Sequence, residues 1–387
     1  MKKLLCMIMA LTMVLGLAAC GGSGEPADNG EAVDYKIGII TGTTAQGEEE
    51  FRAAENLKKK YGDMVVTATY PDNFASETDV TMQRVLELAN DPDVKAIVFV
   101  QAVVGAKAAI DKVKETRDDI LFVCGVPAEN PPDIAASADV ILNNDEIGMG
   151  DVLIQQAKKM GAKTFVHISF PRHMGMENIS RRHALLKENA EKEGIKFVDV
   201  EAPDPTSEAG ATGAQKAIRE SIPRWVEEYG KDTAFYSTNC GMQEALIATV
   251  LETGAISPCQ CCPSPLHGYP GALGLAITPE QMGDIPAICE LIAQTIKEKG
   301  GDGSRFATWP VPINMVMIQG GFEYARMYIE GKTNGKNDTE ALTKCLEDAA
   351  ATSGATITAT KYQTADGQTL DNFYMLMCDF IDFSIDE

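Results

Sequence analysis

Positive charge is scarce in this 387-residue chain, in which 34 lysines and arginines stand against 56 aspartates and glutamates. The formal net charge is −22. An acidic surface repels phosphate backbones, so the composition argues against a nucleic-acid-binding protein. It also disfavours close adhesion to anionic lipid other than through a covalent anchor.

The familiar catalytic motifs are absent as well. The chain has no Gly-x-Ser-x-Gly elbow, no His-Glu-x-x-His and no Gly-x-Gly-x-x-Gly, and it has only four histidines. Gly42 and Gly47 have the spacing of a phosphate loop, but Glu48 stands where that loop requires a lysine. The sequence therefore predicts a binding protein rather than an enzyme.

The apolar run of residues 4–17 falls short of the roughly 20 residues that cross a bilayer. Two lysines precede it and small residues follow it, which is the layout of a secretory signal. The ending Leu17-Ala18-Ala19-Cys20 resembles a bacterial lipobox, which implies that Cys20 becomes an acylated N-terminus carrying chains such as palmitate. We predict a signal peptide over residues 1–19, with a plain secretory signal as the alternative, and a flexible tether over residues 20–34.

From residue 35 onwards, short apolar segments alternate with amphipathic ones. Residues 35–41 (YKIGIIT) are typical of a buried strand, and residues 45–61 follow with helical spacing. Continuous apolar strands separated by helices predict a parallel sheet covered on both faces. The pattern occurs twice at similar length, so we expect an α/β fold of two doubly wound, Rossmann-like lobes.

Three segments resemble the type I periplasmic binding proteins. They are residues 140–145 with the helix that follows, residues 237–242 with the helix to Gly254, and residues 308–312 with the helix after them. The family usually has Asn-Asp where this chain has Asn239-Cys240. The resemblance, which is strongest to uncharacterised bacterial lipoproteins grouped with that family, implies two lobes joined by a multi-crossing hinge. Sugar-responsive repressors share this fold, but their DNA-binding head has no counterpart before residue 35.

The resemblance also suggests how the segments are divided between the lobes. We expect the first lobe to comprise residues 35–143, with 272–307 returning to it. The second lobe is expected to comprise residues 144–256, with 313–330 returning to it. Residues 331–387 form a C-terminal extension that the resemblance does not cover.

Polar and aromatic side chains follow the carboxyl ends of the predicted strands, where ligands bind in open α/β sheets. In a bilobal protein both sheets direct these ends to one cleft, which hinge closure seals. Such side chains suit a polar, ring-containing solute, although helix capping and turn formation are equally ordinary roles for them. The candidates are Thr43, Thr44, Gln46, Phe74, Gln101, Asn144, Asp145, Phe170, Arg172, His173, Asn239 and His267. Arg181 and Arg182 begin a predicted helix and are expected to face solvent, with ligand contact as the alternative.

Cys259, Cys261 and Cys262 form an unusual group, with His267 five residues further on. Three thiols and an imidazole are a ligand set for zinc or a soft metal. The spacing is not Cys-x-x-Cys, however, which favours free thiols or disulfides to distant cysteines such as Cys240. Adjacent cysteines pair with each other only under strain. We therefore expect neither a metal nor another cofactor.

Taken together, these features predict a lipoprotein on the extracytoplasmic face of the cell membrane that closes on a small polar solute and delivers it to an ABC permease. One alternative is a ligand-sensing receptor that signals to a membrane kinase. Another is a metal-handling protein or enzyme that uses the loop of residues 259–267. The identity of the solute cannot be read from the sequence.

Overall fold

The computed structural model describes residues 34–278, 281–351 and 353–385. The predicted signal peptide, Cys20 and the tether up to residue 33 lie outside the described residues. From Tyr35 onwards the chain forms one compact unit. None of the described helices is both long enough and apolar enough to span a bilayer.

The secondary structure alternates between strands and helices, as predicted. The strands are β1 (Lys36–Thr41), β2 (Val65–Thr69), β3 (Val94–Val100), β4 (Leu121–Gly125), β5 (Val140–Asn144), β6 (Thr164–Ser169), β7 (Lys196–Glu201), β8 (Thr233–Ser237), β9 (Ala307–Thr308), β10 (Thr358–Gln363), β11 (Thr369–Met377) and β12 (Ile381–Asp382). The helices are α1 (Thr44–Tyr61), α2 (Thr78–Ala89), α3 (Ala106–Lys114), α4 (Pro131–Ala135), α5 (Glu146–Lys159), α6 (Pro171–Met174), α7 (Glu177–Glu193), α8 (Gly210–Tyr229), α9 (Gln243–Thr253), α10 (Tyr269–Leu273), α11 (Ile285–Glu298), α12 (Ile313–Ile329) and α13 (Thr339–Ala351).

The first sheet has the strand order β10-β11-β5-β4-β3-β1-β2. Its neighbouring strands are parallel except for the antiparallel pair β10–β11 at one edge. β4 and β5 are buried along their whole length, because helices cover both faces of the sheet. Parallel strands end at the same edge, so the loops that follow β1, β3 and β4 lie together there.

The second sheet has three parallel strands in the order β7-β6-β8. Single bridges continue it from Ala234 to Ile256 and from Ser257 to Phe306. Helices α5 and α7 pack closely at Gly150, where a Cβ would lie 2.7 Å from the Leu185 Cβ. The predicted α/β fold with two sheets is confirmed.

Two segments lie in the opposite lobe to the one expected. α11, within residues 272–307, packs on α10 and through it on α9 of the second lobe. α12 packs on α1, β3 and β4 of the first lobe. The expected returns of 272–307 to the first lobe and of 313–330 to the second were therefore wrong. An amphipathic pattern predicts that a helix packs on a sheet but does not identify the sheet.

The C-terminal segment, whose place the sequence left open, contributes to both lobes. α13 packs on α12, and β11 pairs in parallel with β5 of the first sheet. β12 pairs with β9, which follows the second-lobe bridge at Phe306. The chain therefore passes between the lobes after β5, near residues 309–312 and again between β11 and β12.

Gly303 lies where the C-terminal strand docks, and a Cβ there would be 1.9 Å from the carbonyl oxygen of Phe383. We expect Gly303→Ala to lower the free energy of unfolding by about 1–3 kcal/mol, because the strand must shift. Gly283→Ala is the control, since its Cβ would meet nothing within 4 Å. Urea unfolding of both variants measures the effect, and equal stabilities would contradict the prediction.

Candidate ligand-binding cleft

Two small cavities lie at the edge where the strands of both sheets end. The Glu50 cavity, of about 150 Å³, is lined by residues 44–50 after β1 and by second-lobe residues that include Leu266 and His267. The Arg172 cavity, of about 70 Å³, is lined by residues that follow β3, β4, β6 and β8. Cys240 lines both cavities.

Most of the predicted ligand-contact residues line these cavities. Thr44, Gln46 and His267 line the Glu50 cavity. Phe74, Gln101, Arg172, His173 and Asn239 line the Arg172 cavity. Eight of the twelve candidates, from both lobes, therefore line one of the two cavities.

The other four candidates lie outside both cavities and have structural contacts. The Thr43 hydroxyl accepts from the Ala45 N–H and caps α1, and the Asp145 carboxylate accepts from the Gly148 N–H and caps α5. The Asn144 side-chain amide donates to the Cys261 carbonyl at 3.1 Å. The Phe170 ring packs with its centre 4.2 Å from that of the His173 ring. Capping and packing are the ordinary roles that the sequence analysis had set beside ligand contact.

Glu50 is the central polar group of its cavity, and the sequence analysis did not identify it. Its Oε1 accepts from the Asn314 side-chain amide at 2.7 Å and from the Gln101 side-chain amide at 3.2 Å. Glu50 is only 3% exposed, and a buried carboxylate needs such donors. Burial raises the pKa of the neighbouring Glu49 carboxyl well above its usual range, and Glu50 adds to the effect. No local motif marks Asn314, which lies 264 residues from Glu50 in the chain.

Arg172 presents a fixed guanidinium to the other cavity. Its Nε and Nη2 donate to the two carboxylate oxygens of Asp204 at 2.7 and 3.0 Å, a bidentate geometry. The guanidinium also lies 5.2 Å from the centre of the Phe170 ring. Burial raises the pKa of Asp204, but hydrogen bonds from Arg172 and Thr206 outweigh it, and the pKa lies below its usual value.

His173 is a neutral group beside Arg172. Its Nδ1 lies 3.1 Å from the Thr238 hydroxyl, which in turn lies 2.9 Å from the Ser169 hydroxyl. Burial lowers the pKa of His173 to about 3, and the charge of Arg172 acts in the same direction. The imidazole is therefore uncharged at neutral pH and can either donate or accept a hydrogen bond at the cavity wall.

Three thiols meet between the cavities. The Cys240 sulfur lies 3.4 Å from that of Cys261 and 3.6 Å from that of Cys262. The Nδ1 of His267 lies 2.8 Å from the Cys262 carbonyl oxygen. The cysteines among the described residues are all free thiols. The sequence left open a disulfide to Cys240. Cys240 forms no disulfide with Cys261 or Cys262, although their sulfurs are neighbours.

Arg182 is fully buried behind these thiols, which corrects the expectation of a solvent-facing residue. It forms a 3.4 Å ion pair with Glu146 and lies 5.2 Å from the Tyr236 ring centre. Its Nε and Nη2 have no hydrogen-bond partner among the described residues. The helical spacing of Ile179, Arg182 and Leu186 places all three on the buried stripe of α7, and this signal in the sequence was overlooked.

The chain matches known sequences over most of its length. Residues 35–307 match the family described as Protein of unknown function (DUF3798). An uncharacterized protein of Treponema pallidum (strain Nichols) is 36% identical over 199 residues, which cover 49% of this chain and 90% of the relative.

Solved structures share the fold. A structure described as a putative transcriptional regulator from Clostridium difficile 630 is 25% identical with a TM-score of 0.70, over 90% of this chain and 99% of that chain. The substrate-binding protein of a sugar ABC transport system from Bordetella parapertussis 12822 is 11% identical with a TM-score of 0.54, over 91% and 90% of the two chains. The predicted type I periplasmic-binding-protein fold is confirmed.

Proposed function

The chain belongs to the DUF3798 family, and we propose that it is a solute-binding protein whose two lobes close on a small polar molecule. The observation that carries this proposal is that residues from both lobes line the same cleft. Residues after β1, β3 and β4 of one sheet and after β6 and β8 of the other line the same pair of cavities. Such a cleft opens by a hinge motion to admit its ligand and buries it on closing.

The lining groups favour a solute that carries several hydroxyl or amide groups. The Gln101 and Asn239 amides both donate and accept, the Glu50 carboxylate accepts, and the Arg172 guanidinium donates. The Phe74 ring offers an apolar surface at the same cavity. A polar molecule loses its water on entering, so it needs this density of partners. The sugar-binding Bordetella protein has the same fold, which agrees with a solute of this class.

We further propose that the protein is anchored by Cys20 outside the cytoplasm and delivers its solute to an ABC permease. The lipobox-like ending and the fold shared with an ABC substrate-binding protein support this role. A sensor that signals to a membrane kinase would use the same cleft. A permease gene or a kinase gene beside the coding sequence would distinguish the two roles.

The Clostridium neighbour raises a second candidate, transcriptional regulation. The likeness covers 90% of this chain and 99% of that chain. The net charge of −22 argues against contact with DNA, because phosphate binding requires clustered positive charge. A labelled-DNA titration at low salt that showed no binding would remove this candidate.

A thermal-shift screen of pentoses, hexoses, inositols, nucleosides and amino acids tests solute binding directly. A ligand present at about 100 times its Kd adds roughly 2.7 kcal/mol to the free energy of unfolding. We expect at least one compound of the panel to raise Tm. A panel without any shift, on folded and metal-free protein, would contradict the proposed function.

Arg172→Ala is expected to weaken the binding of the compound found in that screen by about tenfold or more, or about 1.4 kcal/mol. The reason is that the guanidinium is held rigidly at the cavity by Asp204, so little ordering is needed when a ligand binds. Isothermal titration measures the affinity. Arg224→Ala is the control, because Arg224 is exposed on α8 and contacts only residues of its own helix. Equal affinities in both variants would contradict the role of Arg172.

Metabolic labelling with palmitate tests the anchor. We expect the wild-type chain to incorporate the label and Cys20→Ser to lose it, since the thioether-linked lipid has no other attachment point. Cys6→Ser is the matched control, because Cys6 lies in the predicted signal peptide and its loss should leave labelling intact. Labelling that persists in Cys20→Ser would contradict lipidation at this residue.

A further inference from the structure

The thiol cluster between the cavities has the composition and spacing of a metal site. One ligand atom each from Cys240, Cys261 and His267 lies within 4.8 Å of the others. The sulfur of Cys262 lies 3.6 Å from that of Cys240 but is outside this mutually close set. Residues from two separate segments of the second lobe therefore converge on one point, although 21 positions separate Cys240 from Cys261.

The two sulfur–sulfur separations from Cys240 agree with tetrahedral coordination. Two thiolates bound to one zinc ion, each at about 2.3 Å, lie roughly 3.8 Å apart at the tetrahedral angle. The observed 3.4 and 3.6 Å are a few tenths of an ångström shorter, a difference that small χ1 rotations remove. A disulfide requires about 2.05 Å, and Cys240 is almost equidistant from two sulfurs, so neither is its evident partner.

His267 has the protonation pattern of a ligand. A carbonyl oxygen only accepts, so the 2.8 Å contact with the Cys262 carbonyl means that Nδ1 carries the proton. In the neutral imidazole Nε2 then carries the lone pair, and a backbone hydrogen bond with Cys240 also acts on the ring. A hydrogen bond of this kind from the second ring nitrogen is the usual way in which proteins orient a metal-binding histidine.

The surroundings of the cluster are polar and charged. Cys124 and Cys345 contribute to the hydrophobic core, where a single buried thiol is a small apolar side chain. The cluster instead lines both cavities and has the fully buried Arg182 behind it. Three thiolates and one divalent cation carry a net charge of −1. The Arg182 guanidinium is close enough to Cys261 and Cys262 to offset part of this charge, although it also pairs with Glu146.

We propose that Cys240, Cys261, Cys262 and His267 bind one thiophilic cation of the zinc class within the cleft. This inference extends the proposed function and in part rests on it, because the cation would form the wall between the two solute cavities. Binding replaces three S–H protons, which leave to solvent, so the affinity rises with pH. The expectation of no metal from the sequence rested on local spacing, which did not include Cys240.

Cobalt is the probe that reports ligand identity. The full chain, reduced and stripped of metal, is titrated with Co²⁺ under anaerobic conditions. We expect a 1:1 complex with a sulfur-to-cobalt charge-transfer band and the visible d–d bands of tetrahedral cobalt, both removed by Zn²⁺. Cys240→Ser and Cys261→Ser should each lower the affinity about 100-fold or more, since even a group that only supports a ligand is worth 10–100-fold. Cys289→Ser, on α11 outside the cluster, should bind as the wild type does.

Circular dichroism identifies variants that fail to fold, and thiol labelling of the wild type then provides the second test. Zn²⁺ should protect three thiols of the folded wild-type chain from a thiol reagent. Three results would overturn the proposal: no charge-transfer band with folded, reduced wild type, unchanged bands in both ligand variants, or a reductant-sensitive disulfide at Cys240.

The solute screen on metal-free protein is independent of the cobalt titration. A cobalt band without any solute shift would defeat the proposed function alone, and a solute shift without a band would defeat the cation site alone.

Discussion

Asn314→Leu is expected to lower the free energy of unfolding by about 3 kcal/mol, the largest effect of a single change at the cleft. The Asn314 amide donates to Glu50 Oε1 at 2.7 Å, and Gln101 is the other side chain that donates to this oxygen. Removing one partner of a buried charged group leaves the charge poorly solvated, which costs more than the hydrogen bond itself contributes. Leucine branches at Cγ as asparagine does but is larger, so overpacking adds to the loss of the polar group.

A double-mutant cycle separates this effect from loss of packing. Glu50→Leu removes the carboxylate that Asn314 satisfies, and replacing both partners by apolar groups of similar shape is often nearly neutral. The double variant should therefore be more stable than the sum of the two single changes predicts, by at least about 1 kcal/mol. Urea unfolding of the four proteins gives the coupling energy. Additivity within about 0.5 kcal/mol would contradict the network.

The fold was predictable from the sequence because its signals are local. Most of the strands from β1 to β8 are short apolar runs, and each of these eight strands is followed by a helix. A position directly after the end of a strand is also a local property. It identified Gln101, Arg172 and Asn239, which come from both lobes, as cleft residues. The place of the C-terminal extension could not be predicted in this way, because the pairing between β11 and β5 joins residues more than 200 positions apart.

The parts that were missed depend on long-range contacts. In the local sequence, Glu50 is one of three consecutive glutamates on a helix. It becomes part of a buried network only because the fold brings Asn314 and Gln101 to it. The thiol cluster likewise forms because the end of β8 brings Cys240 beside the loop of residues 259–267. Arg182 is different, since its place on the apolar stripe of α7 was visible in the sequence.

The second large effect is a loss of stability in acid that is due to His173. Comparing the wild type with His173→Gln isolates this loss. Burial lowers the pKa of His173 to about 3, whereas a histidine in an unfolded chain titrates near 6.5. Between these values the unfolded state binds the extra proton, so the free energy of unfolding falls as the pH falls. From pH 6.5 to 4.5 the wild type should therefore lose about 2–3 kcal/mol more than the variant, at about 1.4 kcal/mol per pH unit.

The comparison between the two proteins is needed because other buried groups titrate in the same range. Burial also lowers the pKa of His167 and His267, which adds to the loss in both proteins. Glu49 acts in the opposite sense, because its raised pKa makes the folded state take up a proton first as the pH falls. These contributions cancel in the difference between wild type and His173→Gln, whose amide can still reach Thr238. Urea unfolding at half-unit pH steps gives the free energy of unfolding of both proteins as a function of pH. Parallel curves would contradict the prediction. They would mean that His173 is protonated in the folded cleft, where its charge would face that of Arg172.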